Sequence, residues 1–182
     1  ETVGHKVGWL TLHAGIAGGA DIILIPEIPY DIKSVVAALN RRTKAGKNFS
    51  ILAVAEGAIS KQDAALPKKE LKQRLKDNAW TAALYKIGSE IQELTGQEVR
   101  ITVPGHTQRG GSPCPYDRVL ASRLGAAAAK LIIDKQYGYM VGIKNGEIVK
   151  VPLADVAGRL KMVDPNASII NEAKMLGISF GD

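Results

Sequence analysis

The sequence has little of what several classes of protein depend on. It contains one cysteine, Cys114, so no disulfide can form within the chain, and a reducing, cytoplasmic compartment is expected. No apolar run approaches the ~20 residues of a membrane helix, and no signal peptide is recognisable. With two phenylalanines and two tryptophans, the chain lacks the aromatic platform on which single-stranded nucleic acid stacks. We therefore expect no membrane and no nucleic-acid partner.

Common catalytic and cofactor motifs are also missing. The sequence contains no P-loop, no G-x-G-x-x-G fingerprint and no Ser-His-Asp order. His5 and His13 are eight residues apart on the first predicted helix, too far to share an ion without other ligands, so no metal site is expected. Cys114 has no partner cysteine and no nearby base, and it is expected to be a small buried thiol.

Positive charge is what the composition does offer. The chain carries 24 lysines and arginines against 18 acidic residues, a net charge of +6, which suits an anionic ligand. These basic residues are spread along the chain. The densest cluster is interpreted as the solvated face of a helix and consists of Lys68, Lys69, Lys72, Arg74 and Lys76.

Apolar runs alternate with amphipathic segments along the chain. The runs at residues 21–26 and 49–55 are typical of strands buried on both faces of a parallel sheet, and residues 98–103 are predicted as a third strand. Helices are predicted over residues 4–18, 32–44, 79–94 and 115–135. This alternation predicts an α/β fold with a parallel sheet and right-handed crossovers.

The other segments are shorter or less regular. Residues 63–77 are polar and charged, which indicates a loop or a partial helix. Residues 139–143 and 148–151 predict a hairpin around an Asn145-Gly146 turn. Short helices are predicted over residues 153–160 and 171–176.

Three polar side chains lie at or just beyond the carboxyl ends of predicted strands: Glu56, His106 and Arg109. These ends share one edge of a parallel sheet, so the three could converge where α/β proteins bind ligands. Arginine offers a planar fork to phosphate oxygens, histidine a donor, and a carboxylate an acceptor for sugar hydroxyls. The set suits a phosphorylated sugar. A glutamate that caps a helix and a His–Arg pair that holds a turn are the alternative interpretation.

Arg100 lies inside the third predicted strand, where a charge normally needs a partner. It either faces solvent on an edge strand or reaches across an interface to the ligand of another subunit. The residues alone leave both interpretations open.

Three segments resemble the 6-phosphofructokinase family. Residues 104–128, PGHTQRGGSPCPYDRVLASRLGAAA, resemble the family's sugar-phosphate loop, G-H-x-Q-R-G-G-x-P-x-x-x-D-R. Residues 3–27, VGHKVGWLTLHAGIAGGADIILIPE, resemble its M-G-R-x-x-G segment and A-G-G-A continuation, and residues 53–57 resemble its V-x-E-G strand end. The motifs follow the family's order over most of residues 1–145. The resemblance implies a three-layer, Rossmann-like α/β fold.

The resemblance also implies roles for individual residues. His106 and Arg109 match the family's ligands of fructose 6-phosphate, and Glu56 matches the acid that holds a sugar hydroxyl. Val3 and Gly4 match the methionine and glycine that line the sugar.

Further matches concern other subunits and regulation. Arg100 matches an arginine that reaches the 6-phosphate bound by a neighbouring subunit, which implies a homodimer or homotetramer with shared sites. His5 stands where the family has an arginine that supports the transferred phosphoryl group, and a histidine is shorter and only partly charged at neutral pH. The nucleotide effector site of bacterial members is matched in part by Asp21, Gly46 and Lys47.

The resemblance further implies the C-terminal part of a larger enzyme. The family's G-G-D donor motif and T-x-D-x-D catalytic-base segment belong to its preceding half and are not found here. Mg²⁺ and ATP or pyrophosphate would bind there, so this part alone is expected to bind sugar phosphate and transfer nothing.

We expect residues 1–106 to form the fructose 6-phosphate-binding α/β domain. Residues 107–151 are expected to pack on the missing N-terminal domain through an apolar face, and 152–182 to form a C-terminal helical segment.

Two functions fit this pocket. In the enzyme, the 1-hydroxyl of fructose 6-phosphate receives a phosphoryl group in glycolysis. In a non-catalytic, sugar-phosphate-sensing or scaffolding module, His5 would mark lost catalysis. An intact G-G-D and T-x-D-x-D in the preceding residues would favour the enzyme.

Overall fold

A computed structural model describes the chain except for residues 68, 72 and 74–79. In chain order the elements are α1 (Trp9–Ala17), β1 (Ile22–Leu24), α2 (Ile32–Lys44), β2 (Leu52–Val54), α3 (Lys61–Ala64), α4 (Trp80–Thr95), a 3₁₀ helix (Gly105–Arg109), α5 (Pro115–Ile133), β3 (Tyr139–Lys144), β4 (Glu147–Pro152), α6 (Leu153–Val156) and α7 (Ser168–Met175). The chain divides into a larger unit, Glu1–Gln108 with Met162–Asp182, and a smaller unit, Arg109–Lys161.

The two predicted buried strands pair in parallel at the centre of the larger unit. Ile22, Ile23 and Leu24 of β1 are fully buried and face Leu52–Val54 of β2 residue by residue. On the outer edge of β1, Ile23 N donates to Ser179 O at 2.9 Å. The continuous apolar runs therefore predicted these strands correctly.

Helices cover both faces of this sheet. Ile22 and Leu24 point into one apolar cluster with α2 and α4, where Val35, Leu39 and Ile91 are buried. The alternate residues of β1 point into a second cluster formed with α1 and the chain's last segment, whose members include Leu12, Ile23, Ile25, Val163, Ile170 and Phe180. Because side chains alternate across a strand, two separate cores result. The expected three-layer α/β architecture is confirmed.

The third predicted strand is wrong. Residues 98–103 are described and form no strand. Val99 and Ile101 pack their side chains against the first cluster, but an open cleft of about 450 Å³ lies between residues of β2 and this segment and is lined by Leu52, Val54 and Gln97–Thr102 among others. Alternating apolar residues can thus be partly buried by side-chain packing, without a backbone ladder.

Helix ends follow local chemistry. The Asp31 carboxylate accepts from Lys33 N at 2.9 Å and starts α2 as predicted, and Gly46, with φ of 78°, ends it. The first helix begins at Trp9 rather than at residue 4. Thr2 and Gly4 instead hydrogen-bond to the chain around the end of β2, so His5 precedes α1 and does not share it with His13.

The smaller unit consists of α5, the β3–β4 hairpin and α6. Asn145 and Gly146 form the predicted hairpin turn, both with positive φ. Cys114 is exposed, so the expectation of a buried thiol is wrong; its backbone N–H and its thiol both donate to Asp117 Oδ2 at the start of α5. The predicted helix over 153–160 ends at Val156.

Part of the sequence interpretation lies outside the described residues. This applies to the basic face at Lys68, Lys72, Arg74 and Lys76, and to residues 68, 72 and 74–77 of the predicted loop at 63–77. Among the described residues, no helix is long and apolar enough to cross a membrane.

Candidate functional site

The segment before α1 is hydrogen-bonded to the end of β2. Thr2 N donates to Val54 O at 2.9 Å, Glu56 N donates to Thr2 O at 3.0 Å, and Gly57 N donates to Gly4 O at 3.2 Å. These main-chain bonds bring residues 2–5 together with Glu56. The predicted sugar-lining residues and the predicted sugar-binding acid therefore lie side by side.

A glycine at position 57 is required for this contact. A Cβ at Gly57 would lie 2.0 Å from the carbonyl oxygen of His5 and 3.1 Å from that of Gly4. Backbone can approach so closely only where no side chain intervenes. The glycine of the V-x-E-G motif thus has a packing role that its sequence pattern does not reveal.

Glu56 and His5 face each other across this contact. His5 Nδ1 lies 3.9 Å from Glu56 Oε1, and their side chains are 47% and 30% exposed. When the imidazole is protonated, the pair is a loose, partly solvated ion pair of modest strength. Both groups are open to a ligand that approaches from solvent, and the carboxylate can accept from hydroxyl groups.

Gln108 ties the 3₁₀ helix to the same segment. Its side-chain Oε1 accepts from Val3 N at 3.0 Å, and its Nε2 donates to Gly105 O at 3.3 Å. Gln108 was not among the predicted site residues. Its position in the Q-R-G-G loop was the available signal, but a contact spanning 105 residues leaves no local pattern.

His106 and Arg109 are exposed residues of the 3₁₀ helix. Gly105 begins this helix with φ of 56°, and Thr107 Oγ1 donates to Pro104 O at 2.6 Å. His106 belongs to the larger unit with Glu56, whereas Arg109 is the first residue of the smaller unit.

Arg100 pairs with a neighbouring glutamate in the larger unit. Its Nε donates to Glu98 Oε1 at 2.9 Å, and both side chains are mostly exposed. An exposed pair of this kind contributes little to stability.

A second polar cluster contains Asp21. Arg42 Nη1 lies 2.8 Å from Asp21 Oδ1, and Ile51 N donates to Asp21 Oδ2 at 2.8 Å. Arg42 Nε also donates to Ser50 Oγ at 2.9 Å. Lys47 N donates to Arg42 O at 3.1 Å, so the loop that carries Gly46 and Lys47 is anchored near Asp21. Arg42, which organises this cluster, was not predicted.

The described residues offer no group of three or more histidine, cysteine or acidic side chains that could hold a metal ion. No chemical step is assigned to Mg²⁺ within these residues.

The chain is similar to known proteins of one family. The family model described as phosphofructokinase matches residues 1–132. The chain is 52% identical over all of its residues to an ATP-dependent 6-phosphofructokinase of Spirochaeta thermophila, and 43% identical to one of Chloroflexus aurantiacus. It covers 50% and 49% of those proteins, so it spans about half the length of the curated relatives it matches.

Solved structures agree on the fold. A phosphofructokinase of Pichia pastoris matches 85% of this chain with a TM-score of 0.67 and 30% identity, over 16% of its own length. A pyrophosphate-dependent phosphofructokinase of Nitrosospira multiformis matches 92% of this chain with a TM-score of 0.71, over 42% of its own length. At 20% identity, the second match shows a similar fold and nothing more.

Proposed function

Because this chain belongs to the phosphofructokinase family, we propose that it forms the sugar-phosphate-binding part of a 6-phosphofructokinase. One observation carries the proposal. Glu56 N donates to Thr2 O and Gly57 N donates to Gly4 O, so residues 3–5, from one motif, adjoin Glu56 and Gly57, from another. Two motifs that match the family separately thus meet in space, as a single binding site requires.

Each residue has a role in this proposal. Glu56 accepts from a hydroxyl of fructose 6-phosphate, and the close backbone at Val3 and Gly4 lines the sugar. His106 and Arg109 donate to the 6-phosphate, for which a guanidinium fork is well suited. His5 adds a positive charge near the reacting end when it is protonated.

The reaction is phosphoryl transfer to the 1-hydroxyl of the bound sugar, a step of glycolysis. Catalysis of this kind depends mainly on positioning and electrostatics, and these residues supply the positioning. The phosphoryl donor, ATP or pyrophosphate with Mg²⁺, is assigned to residues outside 1–182, together with the catalytic base. The relatives named ATP-dependent favour ATP as donor.

The proposal includes partners. Residues 107–151 dock through their apolar face on the half of the enzyme that carries the donor site. Arg100, whose exposed side chain pairs with Glu98 in the larger unit, reaches the 6-phosphate of a neighbouring subunit in a homodimer or homotetramer. The compartment is the cytoplasm.

Regulation is assigned to the polar cluster around Asp21 and Arg42. Asp21, Gly46 and Lys47 form part of an effector site for a nucleotide, and a bound phosphate would compete for Arg42. The proximity of these residues supports this assignment.

Titration with fructose 6-phosphate tests the proposal. Saturable binding is expected for the protein at its natural length, weakened at least tenfold by Arg109→Ala, because removing a charged hydrogen-bonding group at a phosphate costs about 1.5–3 kcal/mol. Fructose without phosphate should bind far more weakly. Glu93→Gln on the exposed face of α4 is the matched control and should leave the affinity unchanged.

Three outcomes are decisive. Equal affinity of the wild type and the Arg109 variant contradicts the assigned phosphate ligand. Absence of binding contradicts the proposed function. Tight binding without turnover in the natural-length protein, supplied with either donor, favours the sensing module, for which His5 is the motivating substitution.

A further inference from the structure

Glu27 receives several hydrogen bonds that the proposed site does not use. Its Oε1 accepts from Gly8 N at 3.0 Å and from Val163 N at 3.0 Å, and its Oε2 lies 3.1 Å from the same Gly8 N. One carboxylate beyond the end of β1 thus joins Gly8, 19 residues before it, to Val163, 136 residues after it.

The contact with Gly8 completes the start of α1. Gly8 is the residue that caps this helix, and it has no side chain with which to do so. The Glu27 carboxylate supplies both the missing acceptor and a negative charge at the positive end of the helix dipole. A Cβ at Gly8 would lie 2.4 Å from Ile25 Cβ and 2.8 Å from Glu27 Oε2, so this packing requires glycine.

The segment of residues 3–8 therefore has two anchors. Its first part is bonded to the main chain beyond β2 through Gly4 and Gly57, and its end is bonded to Glu27 through Gly8. Without the bond from Gly8 to Glu27, the end of this segment next to α1 is no longer fixed, and residues 3–5 can shift with it. Binding sites need such supporting contacts because displacement of the order of 1 Å costs about 10²-fold in rate.

The third contact comes from the C-terminal segment of the larger unit. Val163 is buried with Ile170 and Phe180 in the second core cluster, so its N–H is held rigidly. This donor restrains the rotamer of Glu27. The packing of residues 162–182 thereby helps to fix the position of the start of α1.

We propose that Glu27 is a positioning residue for the sugar-binding segment at residues 3–5, held in place by the segment Met162–Asp182. The inference rests on the proposed function. Glu27 does not touch the sugar; it acts through Gly8. A single side-chain oxygen makes the shortest contact with both donors, so an amide at this position can retain them.

The test is a series of three substitutions in the protein at its natural length, Glu27→Ala, Glu27→Asp and Glu27→Gln. Glu27→Ala is expected to raise the dissociation constant for fructose 6-phosphate about tenfold or more. Glu27→Asp keeps the charge but loses the reach, so it should resemble alanine. Glu27→Gln should recover most of the affinity. If the alanine variant does not fold, the aspartate variant carries the same comparison.

A control separates positioning from stability. Val35→Ala creates a cavity in the first core cluster and lowers stability without contact with Glu27. At a temperature below all unfolding transitions, it should keep the wild-type affinity within about twofold, because ΔΔG values of distant, independent sites do not couple. Equal weakening by Val35→Ala and Glu27→Ala, or wild-type affinity in Glu27→Ala and Glu27→Asp, overturns the inference while leaving the proposed function intact. A wild type that binds no fructose 6-phosphate overturns both.

Discussion

Gly57 and His5 touch through their backbones: a Cβ on Gly57 would lie 2.0 Å from the His5 carbonyl oxygen and 2.7 Å from its carbonyl carbon. The hydrogen bond from Gly57 N to Gly4 O, at 3.2 Å, belongs to the same contact. The glycine therefore determines the distance between the segment before α1 and the end of β2.

Gly57→Ala is expected to lower the free energy of unfolding by about 2–3 kcal/mol, because the added methyl group must push backbone aside. Chemical denaturation measures this loss. Gly125→Ala in α5 is the matched control, since a Cβ there meets nothing within 4 Å, and alanine in a helix interior should stabilise by up to about 1 kcal/mol. A Gly57→Ala variant as stable as the wild type would show that the close contact is not made in solution.

The pair between Asp21 and Arg42 should be energetically coupled. A double-mutant cycle with Asp21→Ala and Arg42→Ala is expected to give a coupling energy of about 1–2 kcal/mol, because the 2.8 Å contact is partly buried. The exposed pair of Glu98 and Arg100 is the internal comparison and should give at most about 0.5 kcal/mol. Equal coupling in the two cycles would contradict the anchoring role of Arg42.

Tyr30 should make the fold sensitive to alkali. Burial, reinforced by the carboxylates of Glu90 and Asp63, raises the pKa of Tyr30 well above its usual value. As the pH rises through about 10, the unfolded chain releases this proton and the folded chain keeps it, so the unfolding free energy falls by up to about 1.4 kcal/mol per pH unit. Below that pH the two states bind the proton equally, and this contribution to stability is fully present.

Denaturation at a series of pH values between 8 and 11 measures the slope. Tyr30→Phe removes the ionisable group, so it should flatten the decline. A slope that is unchanged in the phenylalanine variant assigns the effect to other groups.

The smaller unit should make the 182-residue chain self-associate. Ile132 and Ile133 at the end of α5 are 64% and 78% exposed, and Tyr137 just beyond is 70% exposed. Apolar surface of this kind marks an interaction site or an aggregation risk. Sedimentation should show a concentration-dependent increase in mass, and Ile133→Lys should reduce it. A compact monomer that binds no hydrophobic dye would contradict both this prediction and the proposed docking of residues 107–151.

Sequence patterns were sufficient where a local rule decides the structure. The strands at Ile22–Leu24 and Leu52–Val54 follow from continuous apolar runs, and the start of α2 follows from Asp31. The patterns were insufficient at residues 98–103, because Val99 and Ile101 satisfy an apolar alternation by packing alone. The exposure of Cys114 was missed because a capping interaction with Asp117, rather than burial, occupies the thiol.

The candidate site was predicted by residue type but not by geometry. Glu56 was chosen from its position after a strand, and nothing local indicated that His5 lies 3.9 Å away. Gln108, Glu27 and Arg42 were missed because each bonds to a main-chain group that carries no sequence signature of its own. Such contacts depend on which segments meet in space.

The hydrogen bonds around residues 2–8 also have a kinetic consequence. Val3 bonds to a residue 105 positions away, and Glu27 bonds to one 136 positions away. Contacts between residues so distant in the chain form only after loop-closure entropy has been overcome, so they belong to the last stages of folding. The contact of Val3 with Gln108 involves a 3₁₀ helix that has no buried residue, and contacts with so little burial are the first to open when stability is lowered locally. Sugar-phosphate binding should therefore disappear before the sheet melts, and it is a more sensitive reporter of native structure than the circular dichroism of the helices.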